Sequence, residues 1–492
     1  MTAVGLNLLL LGAAALLTAA LPVTRRVGVL LPLVLTGTAL GLGAGVQLAT
    51  SAPQQREVLL PGGYELVVVI DGFGALLVAA VSLVAGAVAL SGIWEDARGT
   101  SPRHRAHWPL YLTVWAGLTA LPLIGDLLTS YVVLEVVGLC AAVLVTHGES
   151  RGALLAGTRY LLAELAASLS LLAGIGLIWA ATGTVRYDEL AALEPAAVSL
   201  PLLAVGSALA LGGLLLKLPL APLHVWLPAA HSVAPRAVSP LLSGIMVKAA
   251  FIVIMRLWLL DAPAGTGPVV GVVLAVFGAI AIVWGSVTAL RSDDLKRLIA
   301  ASTGAQLGLL VIAAPVIVAG DEDTWLGAVL LAVSHAPAKA AMLLAAACLV
   351  DSARQPARTG AGMDTAVARG RDVRALQGAA DRRPVALLAF VLGGLSLVGL
   401  PPSGGFIGKW FLLLGGVATG AWWLVVMLLV ATGLTTAYLL RCVLPAFVTD
   451  AEPPGPIEVD ARDVIALALA AAVVAMGLAP MPLVEVLRGV VS

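Results

Sequence analysis

Apolar stretches long enough to cross a bilayer recur about fourteen times along this chain, and few folds can accept that pattern. Backbone N–H and C=O groups find no water in hydrocarbon, so each crossing segment must satisfy its own hydrogen bonds as a helix. The stretches lie near residues 3–22, 27–50, 66–92, 108–125, 127–147, 153–182, 201–231, 238–260, 268–290, 296–318, 325–350, 385–416, 420–445 and 462–484. Hydrophobic residues make up 60% of the chain and charged residues only 11%, where a soluble protein would be about a quarter charged. The expectation is an all-α integral membrane protein of about 14 transmembrane helices, one membrane domain with no soluble domain.

Composition also excludes function classes. Net charge is zero, which argues against nucleic acid as a partner. Cys140, Cys348 and Cys442 are far apart without CxxC pairing, so they read as packing residues rather than a disulfide or iron–sulfur site. There is no GxxxxGK[ST] phosphate loop and no dinucleotide fingerprint, so no cofactor is expected and the chain does not read as an enzyme.

The charges that remain are placed with a bias. Alternating sides from an outside N-terminus puts 19 Lys and Arg on inward loops, including clusters at 98–105, 291–297 and 354–383. The outward loops and tail hold Arg56, Arg186 and Arg488. That asymmetry follows the positive-inside rule and predicts both termini outside, in a multi-pass plasma-membrane protein. The apolar residues 3–22 read as a first span, because no basic residue precedes them and Arg25 and Arg26 follow, opposite to a secretory signal. The arginine-rich insert 351–383 reads as a cytoplasmic linker with a short amphipathic helix, or as a docking segment for a partner subunit.

Two spans are long and interrupted. The seventh reads LKLPLAPLHVWLP, with Pro219 and Pro222 just after Lys217; the twelfth reads GLPPSGGFIGKW, with Pro401 and Pro402 just before Lys409. Proline removes a backbone donor and breaks the helix, which membranes tolerate only where protein or a polar cavity satisfies the freed groups. The breaks fall five spans apart, an odd number, so the two five-helix units around them would be inverted repeats. On this reading residues 1–107 hold the first three helices, 108–260 repeat one, 268–445 repeat two and 462–484 the last helix.

Lysine use is the chemical clue. Of 28 basic residues only five are lysine, and Lys217, Lys248, Lys339 and Lys409 all lie inside apolar spans. Arginine keeps its proton almost anywhere, whereas an amine in a low-dielectric site can lose it near neutral pH. Glu135 sits in span five, and His335 lies four residues before Lys339 on one face of span eleven. Buried charges are costly, so the row is expected to face the bundle interior. Arg159 and Glu164 read as a mutual structural pair, and Asp71 as a packing or capping residue, which leaves Glu135 to serve the lysines. A buried lysine without a partner is best kept neutral, and a neutral amine can take up and pass on a proton.

The segments PLHVWLPAAHSVAP…SPLLSGIMVK, SDDLKRLIAASTGAQLG, HAPAK and GLPPSGGFIGKW together resemble the antiporter-like membrane subunits shared by Mrp-type Na+/H+ antiporters, complex I and membrane-bound hydrogenases. The resemblance runs from about residue 66 to 445. It implies fourteen helices with two inverted repeats, and a Glu135–Lys217 pair whose separation tunes the lysine. It also implies proton transfer through Lys248, His335 and Lys339 to a terminal Lys409. The lysine in span twelve, and a chain ending after the fourteenth span, resemble the D subunit of an Mrp antiporter most. A complex I proton-pumping subunit and a hydrogenase-associated subunit are the alternatives. The implied partners are other subunits of a hetero-oligomeric complex, protons, Na+ and lipid; no metal ligands can be chosen. One departure is Ala229, where the family's Leu-Pro-Asp-Ala-His has its acid.

Overall fold

The computed structural model describes residues 3–20, 23–59, 62–98, 105–148, 151–260, 262–353, 372–448 and 457–491. They are nearly all helical. The chain runs through α1 (Ala3–Ala20), α2 (Val23–Ala49), α3 (Gly72–Ala97), α4 (His107–Ala120), α5 (Leu127–Thr146), α6 (Arg151–Thr182) and the short α7 (Tyr187–Ala191). It continues with α8 (Leu200–Lys217), α9 (Trp226–Val233), α10 (Ser239–Gly244), α11 (Ala249–Ile254), α12 (Gly267–Arg291), α13 (Leu295–Ile312), α14 (Ala314–Val318) and α15 (Glu322–Ala353). Last come α16 (Ala379–Arg382), α17 (Pro384–Val398), α18 (Gly404–Ala418), α19 (Trp422–Val443), α20 (Ala461–Leu478) and α21 (Met481–Val491).

Among the described residues twelve helical segments are long and apolar enough to cross a membrane, and α17 and α18 are shorter apolar helices. The expected span 108–125 forms α4, of 14 residues, followed by a 3-10 turn at Leu121–Leu123. The expected span 385–416 is two helices of 15 residues each, broken at 399–403. The other expected break separates α8 from α9. Of the insert 351–383, residues 354–371 lie outside the described residues.

One expected boundary is wrong. Residues 66–70 do not begin a helix: β1 (Gln54–Leu59) and β2 (Glu65–Ile70) form an antiparallel hairpin with Gln54 opposite Ile70. The run Val67-Val68-Val69-Ile70 is β-branched and suits a strand. Gly62 and Gly63, at φ 98° and 83°, make the turn in the left-handed region that glycine adopts without strain. The helix starts only at Gly72, where the Asp71 carboxylate accepts from Gly74 N at 2.8 Å as an N-cap.

Burial orders the helices. Of the most apolar 18-residue window, all is buried in α15, 94% in Ser239–Leu260 and 89% in Leu295–Val318, against 28% in α20. The two most enclosed segments carry His335 and Lys339 on α15 and Lys248 in Ser239–Leu260. Outer helices instead expose large apolar side chains such as Leu162, Leu169, Val269 and Leu429, as lipid contact requires.

The rims are held by ion pairs. Arg98 meets Asp460 at 2.8 Å, Arg236 meets Asp351 at 2.5 Å, Arg462 meets Asp351 at 3.1 Å, and Arg383 meets Asp463 at 2.9 Å. All these residues belong to segments that the charge bias assigns to the inward face. Arg186 meets Glu57 at 2.5 Å and Arg488 meets Glu322 at 3.3 Å, joining segments assigned to the other face. At the first rim, burial pushes the Asp460 carboxyl up, but hydrogen bonds from Arg462 outweigh this and hold it below its ordinary value.

Candidate functional site

The first helix break positions an amine between two acids. Lys217 is the last residue of α8, and the chain turns away there because Pro219 and Pro222 cannot continue the helix. The turn is secured by Trp226, whose Nε1 donates to the Leu216 carbonyl at 3.1 Å and whose ring stacks on Tyr160 at 4.4 Å. Lys217 Nζ donates to Glu135 Oε1 at 3.0 Å, to Ser168 Oγ at 2.9 Å, and to the carboxylate of Glu164. Ser168 in turn donates to Glu135. Gly138 makes room for this: a Cβ there would collide with the Glu164 carboxylate.

Glu164 therefore does not pair with Arg159. Five residues along a helix is a rotation of about 140°, so the two side chains leave opposite faces. Arg159 is exposed, while Glu164 is 5% exposed and faces the same way as Ser168, four residues on. Nor does Glu135 serve the whole row, since both acids meet Lys217. A cavity of about 20 Å3, roughly one water in size, lies between this cluster and the turn carrying Lys248; Gly138, Glu164, Lys217, Met246 and Val247 are among its lining residues.

The other three amines meet no carboxylate within ion-pair distance among the described residues. Lys248 closes an irregular 3-10 turn between α10 and α11 and donates to the Gly244 carbonyl. Gly244 packs against the Ala336 backbone so closely that a Cβ added there would lie 3.1 Å from the Ala336 carbonyl oxygen, which brings this turn to the His335 region of α15. Lys339 is wholly buried and donates to Ser302 Oγ at 2.5 Å and to the Ile299 carbonyl at 3.1 Å. His335 lies between, in electrostatic contact with Lys248 and Lys339, and both its ring nitrogens are buried without a hydrogen-bond partner among the described residues. His231 is buried in the same way and feels Lys339 and Lys296.

The second break holds Lys409. Helix α17 ends at Gly399, whose φ of 84° is a left-handed cap, and a Cβ there would meet Lys409 Cδ at 2.5 Å. Pro401 and Pro402 follow, and α18 begins with Ser403 as N-cap, accepting from Phe406 N at 3.2 Å. Lys409 Nζ donates back to the Leu397 and Val398 carbonyls at 3.0 and 2.8 Å, and to Thr432 Oγ1 at 3.2 Å. The carbonyls orphaned by the break are thus satisfied by the lysine.

A further intramembrane charge escaped the sequence reading. Arg256, on the π-helical turn Met255–Leu260, grips Asp71 with both Nη atoms, the second at 2.9 Å, and donates to the Pro122 carbonyl at 2.8 Å. Asp71 is thus both a cap and an ion-pair partner. Ser168, Ser302, Gln306 and Tyr438 were missed as well, because neutral polar residues are frequent in membrane helices and carry no pattern.

The arrangement can do one kind of chemistry. A set of buried nitrogens, the lysines among them bonded to carboxylates, hydroxyls and carbonyls, can hold and hand on protons; among the described residues no three acidic, His or Cys side chains gather as for a metal ion. Comparison with known proteins bears on what carries such a row. Residues 125–435 match the family described as NADH:quinone oxidoreductase/Mrp antiporter, transmembrane. NADH-quinone oxidoreductase subunit N of Desulforudis audaxviator (strain MP104C) is 33% identical over 397 residues, 80% of this chain and 75% of that protein. The structure overlays a chain of the membrane-bound sulfane sulfur reductase, an archaeal respiratory membrane complex, with TM-score 0.87 at 23% identity, covering 100% of this chain and 97% of that one. It also overlays a chain of the Mrp complex from Dietzia sp. DQ12-45-1b with TM-score 0.83 at 24% identity, covering 99% and 95%. The chain belongs to the family of membrane subunits common to NADH:quinone oxidoreductases and Mrp antiporters.

Proposed function

We propose that this chain is a proton-translocating subunit of a multi-subunit complex of the plasma membrane, with Glu135, Lys217, Lys248, His335, Lys339 and Lys409 as the groups that carry the proton. The observation behind this is the contrast along the row: Lys217 faces Glu135 and Glu164, while Lys248, Lys339 and Lys409 donate only to carbonyls and hydroxyls. With both acids ionised and the amine charged, the Lys217 cluster sums to −1, so one further proton neutralises it. Breaking the Lys217 contacts exposes the neighbouring amines to a different field, and a charge moved across 100 mV is worth about 2.3 kcal/mol, an energy such pairs can match. Spans arranged as two inverted repeats, with both termini outside, belong to the same proposal.

Two engines could drive it. Identity favours a redox-linked one, because the 33%-identical relative is an NADH-quinone oxidoreductase subunit, whereas the likeness to the Mrp complex is one of fold. Na+/H+ exchange, the assignment expected from the lysine in span twelve, is the second reading. The experiment captures the complex through a tag on this chain, reconstitutes it in liposomes, and follows internal pH after adding NADH with a quinone, or after imposing a Na+ gradient. Glu135→Gln and Lys217→Arg should each abolish proton movement in the assembled complex, the second because arginine keeps the charge but does not release its proton. Full activity in both variants overturns the reading.

A further inference from the structure

We propose that the Tyr438 hydroxyl passes protons between the Lys339 and Lys409 ends of the row, held in place by the Gln306 amide. This rests on the proton-translocation reading above. The row of nitrogens has a gap, because Lys339 ends on Ser302 of α13 and Lys409 ends on the Leu397 carbonyl of α17. Tyr438 of α19 stands in that gap. Its ring is 1% exposed, its hydroxyl donates to Thr435 Oγ1 at 3.3 Å, and Gln306, on the same helix as Ser302, reaches it. Gln306, one helical turn on from Ser302, reaches Tyr438 Oη at 3.5 Å and the Leu397 carbonyl at 3.5 Å through the same Nε2. Gln306 thus joins the Tyr438 hydroxyl, one helical turn from the acceptor of Lys339, to the acceptor of Lys409.

Gln306 is bonded unevenly. Its nitrogen makes three contacts, all between 3.3 and 3.5 Å, while its Oε1 is buried with no partner among the described residues. Half a turn of the amide exchanges the two atoms and lets the oxygen accept from the Tyr438 or Thr435 hydroxyl. The amide can therefore orient the phenol without carrying a proton itself. A hydroxyl has what a relay needs: it accepts on a lone pair and releases its own hydrogen. In the step, an N–H bond of the Lys339 ammonium breaks as Ser302 Oγ takes the proton, and the Ser302 O–H breaks as Tyr438 Oη takes the next. The Tyr438 O–H then breaks as Lys409 Nζ, swinging on its four-carbon stem, takes the last. Both hydroxyls end neutral, and one positive charge has moved from Lys339 to Lys409.

The test uses the reconstituted complex and whichever driver moves protons in the unaltered protein. Tyr438→Phe keeps the ring and removes the hydroxyl, and should slow proton uptake by about tenfold or more. The solvent deuterium isotope effect should change with it, which a packing role alone would not cause. Lys339→Ala and Lys409→Ala are measured alongside. If both lysine variants keep the full rate, the relay reading itself falls; if they stop uptake while Tyr438→Phe keeps the full rate and isotope effect, the hydroxyl is packing only and this inference is overturned. Should Tyr438→Phe fail to assemble, Ser302→Ala replaces it, with the same expected loss and the same overturning result.

Discussion

Lys217 and Lys409 both stand at a helix break in the membrane, yet the chain treats them oppositely. Lys217 meets two carboxylates and a hydroxyl; Lys409 meets two carbonyls and a hydroxyl. Taking the proton from Lys217 would leave two acids facing each other without a cation. Taking it from Lys409 leaves a neutral amine that still has two N–H groups for its two carbonyls. The first break surrounds its amine with acid oxygens, the second with neutral ones. On the proposed reading both amines hand on a proton, each against a different field.

The largest effect should come from breaking the first site. Lys217→Ala strands Glu164 and Glu135 without their cation, and uncompensated buried charge typically costs about 3–5 kcal/mol. Thermal unfolding of the purified complex should show a clear loss that Lys409→Met does not share; equal losses would erase the contrast. Next, Arg256→Ala should destabilise nearly as much as Lys217→Ala, since it leaves Asp71 buried at 5% exposure, while Arg159→Ala should change nothing measurable. Glu164→Gln sharpens the comparison further. It leaves Lys217 one carboxylate, as a simple pair would have, and should slow proton movement severalfold while Glu135→Gln stops it; identical losses would mean that the acids act as one unit.

The smallest effect concerns pH at the inward rim. Asp460 has a folded pKa below its unfolded one, so its contribution is present above the unfolded value, about 3.9, and is lost as pH falls through the folded value. Unfolding temperature should therefore drop more steeply below about pH 4 in the unaltered protein than in Asp460→Asn. A parallel acid limb in both would assign the loss to other carboxylates.

The sequence made the charged skeleton legible because a lysine inside an apolar run is conspicuous. Both helix breaks were legible too, since two prolines within four residues have few other meanings in a span. What stayed hidden needed three-dimensional neighbours. Glu164 was assigned to the nearest arginine along the chain, although i,i+5 spacing turns the two apart. Arg256 looked like one more arginine until the π-helical turn carried it to Asp71. The strand 65–70 reads as helix by apolarity alone, because four β-branched residues in an apolar run mark a strand only once Asp71 is seen to cap the helix behind them. Gln306 lies inside the segment SDDLKRLIAASTGAQLG without standing out there, and Tyr438 left no trace, as an amide and a phenol in membrane helices usually pack or bond locally.

Helix α15 has one more consequence. Glu322, at its start, pairs with Arg488 on one rim, and Asp351, near its end, pairs with Arg236 and Arg462 on the other. The rise between those residues is roughly 44 Å, about the thickness of a bilayer with its headgroups. The helix is buried over its most apolar window and tied by ion pairs near both ends. His335 and Lys339 stand on either side of Pro337 near its middle, so one length of backbone joins both rims to the buried nitrogens between them.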